Sequence, residues 1–164
     1  SDVCSSDLDP TSMLITNLDS WTEISIPEVL RIPCAKTDIE NIDKIFINVK
    51  IISKRVINTP NSEGAINAEG TKLTGKKLIV EGILNQKIVY TADVPEQSVH
   101  SAHFKVPFSA YIVIPTDTVL EDKFCVETCL EDVYVKVFNK KDIFKNVTLL
   151  LKAQLIDNPI IPCP

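Results

Sequence analysis

Apolar and polar residues alternate along most of this chain with the period of a β-strand. Ile45, Ile47 and Val49 alternate with Phe46, Asn48 and Lys50, and the apolar run continues through Ile51, Ile52, Val56 and Ile57. A period of two places successive side chains on opposite faces of an extended chain. The stretch Lys77–Tyr90 reads either as a strand pair or as one strand bent at Gly82. Asn85-Gln86 could serve as its turn, although it lacks the glycine that two-residue hairpins prefer. Val99–Ile114 predicts another long strand region, and Pro107 within it points to an edge, bulge or bend. Phe124–Phe138 alternates cleanly in its second half, with Val133, Val135 and Val137 on one face and Tyr134, Lys136 and Phe138 on the other. Val147–Ile156 closes the set, and a further β pattern begins soon after Met13.

Turn-rich segments separate these runs. Asn58-Thr59-Pro60-Asn61-Ser62-Glu63-Gly64 reads as the clearest loop, and Pro115-Thr116-Asp117-Thr118 as another. Thr37–Ile42 alone admits a helical reading, and it is too short for an independent helix. Strands joined by short turns, with no helical period between them, predict an all-β fold. The expected architecture is an antiparallel two-sheet β-sandwich, jelly-roll-like, with extended N- and C-terminal tails. The expected organisation is an arm over residues 1–20, a sandwich domain over 21–157 and a tail over 158–164. Residues 1–12 read either as a native flexible arm or as a non-native leader ahead of a true start at Met13. Prolines in the tail bar a regular ladder strand, yet Ile160 and Ile161 are apolar, so the tail calls for a groove or a partner.

Composition narrows the picture. The chain has 164 residues, 45% of them hydrophobic but only 6% aromatic, with the apolar weight in Ile, Val and Leu. That is one domain of ordinary size with strand-forming residues. Ten prolines against four glycines leave little room for long helices. The net charge is −5 and the 17 basic residues are dispersed along the chain, which argues against nucleic-acid binding. No apolar run approaches the roughly 20 residues of a membrane helix, so no membrane insertion is expected. No secretory signal is evident, so synthesis in the cytoplasm without a signal peptide is expected.

The chemistry is sparse. Gly70–Lys76 has the glycine and lysine spacing of a phosphate-binding loop, but Lys77 stands where Ser or Thr would hold magnesium, and a strand follows where a helix is needed. His100 and His103, the only histidines, fall on opposite faces of a strand and cannot share a metal without a bulge. The acids Glu121-Asp122 and Glu131-Asp132 read as solvated turn residues. Asn146-Val147-Thr148 fits a glycosylation acceptor but reads as the start of a strand. No nucleophile sits in a local signature. The expectation is therefore no enzyme, no cofactor and no metal.

Five cysteines remain: Cys4, Cys34, Cys125, Cys129 and Cys163. None forms a C-x-x-C pair. Cys125 and Cys129 would lie roughly 13 Å apart on an extended strand, too far for a mutual bridge. All five are candidates for disulfides between subunits, Cys4 and Cys163 above all because each lies in a tail. The competing reading is of small buried hydrophobes.

The segments Trp21-Thr22-Glu23, Ile26-Pro27-Glu28-Val29-Leu30, Ile32-Pro33, Glu69–Gly82, Lys87-Ile88-Val89-Tyr90, Val99–Phe104, Pro107-Phe108-Ser109 and Leu130–Val135 occur in an order that resembles the SPOCS domain of clostridial sporulation proteins. The resemblance spans about Trp21–Ile156. It implies a single-domain, non-enzymatic assembly protein of the spore envelope, located at the spore surface or coat. The expected partners are further copies of the chain and other spore envelope proteins. Some relatives add a LysM cell-wall module, and the expectation is that this chain, read as one domain, does not carry one. Self-association into oligomers or a filament through β-edge and tail contacts is the leading expectation. The alternatives are a monomeric adaptor for a spore-coat morphogenetic protein and a carbohydrate-binding sandwich, for which Trp21, Tyr90, Tyr111 and Tyr134 are few and scattered.

Overall fold

The computed structural model describes residues 3–4, 13, 15, 20–157 and 163. Seven strands occur among the described residues: β1 (Val3–Cys4), β2 (Ser20–Arg31), β3 (Ile39–Ile66), β4 (Lys72–Ala92), β5 (Val99–Val113), β6 (Phe124–Val137) and β7 (Asp142–Leu155). There is no helix among the described residues. Thr37–Ile42 is not helical: a turn at Cys34–Ala35 leads into β3 at Ile39.

Two sheets pack face to face, which bears out the expected sandwich. One has the order β6-β7-β2, antiparallel throughout, with the two residues of β1 added in parallel on β6. The other is the meander β3-β4-β5. Pro107 lies on β5, an edge strand, where its missing N–H can face away from β4.

Strand β4 is a single strand of 21 residues. Asn85-Gln86 is not a turn; it pairs with Lys105 and Phe104 on one side and with Asn48 and Ile47 on the other. Gly82 is where the sequence suggested a bend, and the structure gives it another role. A Cβ built there would lie 2.5 Å from Phe108 Cζ and 2.8 Å from the Lys50 carbonyl oxygen. The bare glycine lets the Phe108 ring, its cross-strand neighbour, pack directly against the strand.

Strand β3 stays in phase with β4 only by repeated bulging, with register shifts between Ile39/Asn41, Ile42/Lys44, Ile51/Ser53, Asn58/Asn61 and Asn61/Ile66. Each shift inserts residues on β3 and bends it. The last two explain why Asn58–Gly64 reads as a loop: the segment is a bulged continuation of the strand, with Glu63 and Gly64 at φ 50° and 86°. The Ser62 hydroxyl closes the bulge, donating to the Ala65 carbonyl at 2.8 Å and accepting from the Leu73 amide at 2.9 Å.

Beyond Asn58 and Lys76, β3 and β4 form an arm. The β4–β5 pairing begins only at Lys77, so Lys72–Lys76 have β3 as their one ladder neighbour. At the tip, Asn67 Oδ1 accepts from the amides of Glu69 and Thr71, and Gly70 takes φ 83°.

The core lies between the sheets in two clusters. The larger gathers Val49, Leu78, Val80, Leu84, Phe108, Ile112, Val147, Leu149 and Leu151; the smaller gathers Leu30, Ile32, Ile39, Ile88, Tyr90 and Ile143. A polar layer falls between them along three strands. Glu28 sits between Ile26 and Leu30, Lys145 between Ile143 and Val147, and Gln86 between Leu84 and Ile88. Glu28 and Lys145 are cross-strand partners, and their side chains meet at 2.5 Å. Gln86 donates from Nε2 to Glu28 Oε1 across the sandwich at 2.9 Å.

Candidate functional site

The sandwich is open where the edge strands β3 and β6 approach. A cleft of about 900 Å³ lies there, bounded by Ile42, Ile45 and Ile47 of β3, Gln86 of β4, Phe104 of β5, and Leu130, Val133 and Val135 of β6. Its origin is local. The bulge between Leu130 and Asp132 shifts the phase of β6, so that Val133, Val135 and Val137 take the inward-facing positions. The facing edge of β3 is drawn off line by its own bulges. Val133 is left 38% exposed although it occupies an inward position. Beyond its two-residue pairing with β1 at Thr128 and Cys129, the outer edge of β6 has no ladder partner among the described residues.

Polarity at the floor of the cleft comes from Gln86, which is only 3% exposed. Its amide nitrogen is held by Glu28, while its Oε1 has no hydrogen-bond partner among the described residues, nor does Glu28 Oε2. Burial pushes the Lys145 ammonium below its ordinary value, and the Glu28 carboxylate opposes that shift.

The rim is basic. Lys44, Lys87, His103 and Lys105 border the cleft, and they belong to a larger basic surface. The register puts Lys44, Lys50, Arg55, Lys77, Lys87 and Lys105 on the outer face of the β3-β4-β5 sheet. Two acids stand among them. Glu81 is held by Arg55 and Ser53, and Asp43 by Thr91 and Asn41. Lys87 lies over the exposed Phe46 ring and Lys77 over Tyr111. Residues far apart in sequence are gathered by strand pairing, so dispersal along the chain does not mean dispersal over the surface.

The residues singled out from the sequence fall mostly elsewhere. Cys163 forms a disulfide with Cys125 within the chain, 38 positions apart in sequence, so the tail thiol is engaged at the start of β6. Cys129 is wholly buried. Cys34 is free and exposed in the turn after β2. The side chain of Cys4 lies outside the described residues, as do Ile160 and Ile161. His100 stacks on Tyr90 with ring centroids 5.8 Å apart and meets Ser98 Oγ at 2.9 Å, while His103 is on the cleft rim. No group of three or more His, Cys, Asp or Glu side chains is placed to hold a metal among the described residues. Gly70–Lys76 runs from the arm tip into β4, a strand and not a helix. No helix is long and apolar enough to cross a membrane among the described residues. Trp21, Tyr111 and Tyr134 are exposed and Tyr90 is buried.

The cleft and the polar layer were missed by sequence reading, although a signal existed. Lys145, Glu28 and Gln86 each occupy an inward position in an otherwise apolar alternation. A polar residue in that phase on three strands marks a buried layer.

Fold and surface together define an antiparallel β-sandwich with one open, apolar side and a basic outer face. The family described as "SipL, SPOCS domain" matches residues 38–138, well over half the chain. The chain belongs to that family, whose domain is non-catalytic and linked to sporulation and spore-coat proteins. Searches of curated proteins and of solved structures return no match.

Proposed function

We propose that the chain is a structural subunit of the spore envelope that self-associates through its free strand edges. The observation that supports this is the cleft between β3 and β6, where apolar side chains stand beside a strand edge that is unpaired among the described residues beyond Thr128 and Cys129. An unpaired edge offers a row of backbone donors and acceptors to an incoming strand. The apolar wall supplies pockets for alternate side chains of that strand. Head-to-tail contacts of this kind extend into a filament when the rotation between copies does not close. Membership of a spore-coat-associated family supports the setting. Cys34 is the exposed thiol open to a bridge between copies.

The test is light scattering and negative-stain microscopy of purified protein across a range of concentrations. Assemblies that Val133→Glu abolishes support the reading. A monomer at every concentration, or one that co-purifies with a single coat protein, favours the adaptor instead.

A further inference from the structure

The edges leave open which segment enters the cleft. We infer that the occupant is the β3–β4 arm of a second copy, an assignment that rests on the self-association reading above.

Three observations converge on the arm. First, it protrudes: residues beyond Asn58 and Lys76 lie outside the three-stranded ladder, and Ile66 near the tip is 67% exposed, the most exposed large hydrophobic side chain among the described residues. No described residue covers that side chain. Second, the tip is slim and acidic. Asn61–Thr71 contains Glu63 and Glu69 with no Lys or Arg, and its other residues are mostly Gly, Ala, Ser, Thr and Asn. Neither acid has a salt bridge among the described residues. Third, the cleft is complementary to it. Its walls are apolar, and Lys44, Lys87 and Lys105, which line it with Asp43 from the outer face of the β3-β4-β5 sheet, have no salt bridge among the described residues.

The floor adds a directional element. Gln86 Oε1 is buried and has no partner among the described residues, and an unmet buried acceptor favours an incoming donor. The amides and asparagine side chains of the arm tip supply such donors. Arm and cleft lie toward opposite ends of β3, about a dozen residues or roughly 40 Å apart along the strand. One copy therefore cannot satisfy itself, and each added copy presents a fresh arm. Both features fall inside the residues that match the family.

Two variants test this. In the first, residues 59–75 are replaced by Asn-Gly, which rejoins the paired Asn58 and Lys76 through a two-residue turn. In the second, Val133→Glu places a carboxylate in the cleft. Thermal melting establishes that both fold. Each variant alone should be monomeric under conditions where the unaltered chain assembles. Mixed, they should form a 1:1 heterodimer and nothing larger, since one supplies only a cleft and the other only an arm. Lys87→Glu with Lys105→Glu should weaken assembly about tenfold or more, and Glu63→Lys with Glu69→Lys in the partner should restore it. An arm-less variant that assembles like the unaltered chain overturns the inference and leaves self-association standing. An unaltered chain that stays monomeric removes both.

Discussion

Strands β3 and β4 run together through two environments. From Asn58 and Lys76 into the sandwich they are covered by a facing sheet, and the inward residues of β4 from Leu78 to Ala92 are all buried. Beyond those residues the same two strands form the arm, where side-chain hydrogen bonds from Ser62, Asn61 and Asn67 hold the backbone, most residues are exposed and none is buried. The body is stabilised by burial of aliphatic side chains, each worth about 1.5–3 kcal/mol. The arm keeps its form through local hydrogen bonds worth about 0.5–1.5 kcal/mol each. A buried position is thus intolerant of change and an arm position tolerant, unless a partner is present.

Substitutions can sharpen or break that contrast. The largest loss is expected for Lys145→Ala, which leaves Glu28 buried without its cation; urea unfolding should show a loss of about 3–5 kcal/mol. Gly82→Ala comes next. The added Cβ meets both a ring and a backbone oxygen, and only the ring can yield, so the same measurement should show a loss of about 1–3 kcal/mol.

Glu131→Gln should act in the opposite direction. Burial and the neighbouring Glu23 raise the Glu131 carboxyl above its ordinary value near 4.5. Between those two values the folded chain holds a proton that the unfolded chain releases, so stability falls as pH rises through the window. Glu131→Gln removes that fall. Thermal melts should therefore show a slightly higher Tm than the unaltered chain at pH 7 and no difference at pH 4. The smallest effect is expected for Ile66→Ser, within about 0.5 kcal/mol in dilute monomer. A large loss there would erase the distinction between body and arm.

Much of the fold was legible. Alternation located the five longest strands because each has one face on the core, and a period of two is what that burial demands. Pro107 correctly announced an edge. The errors share a cause. Asn58–Gly64 has loop composition, and Gly82 with Asn85-Gln86 has turn composition, yet bulging absorbs the first and Phe108 packing and two-sided pairing absorb the second. Local composition cannot report what a neighbouring strand will supply. The same holds for the candidate site. Ile45, Gln86 and Val133 line one cleft from three strands, and only their alignment brings them together. The cysteines illustrate the limit: spacing excluded a Cys125–Cys129 bridge but could not foresee that the tail returns to Cys125.

The layer of Glu28, Gln86 and Lys145 has a consequence for the search among misaligned chains. Displacing β7 past β2 by one residue would turn the ammonium out to solvent and bring its greasy neighbours with it. Displacing it by two would keep the ammonium inside but strand it opposite Ile26 or Leu30. An all-aliphatic interior would accept the second mistake at little cost. This one penalises both, as a key rejects the wrong tumbler.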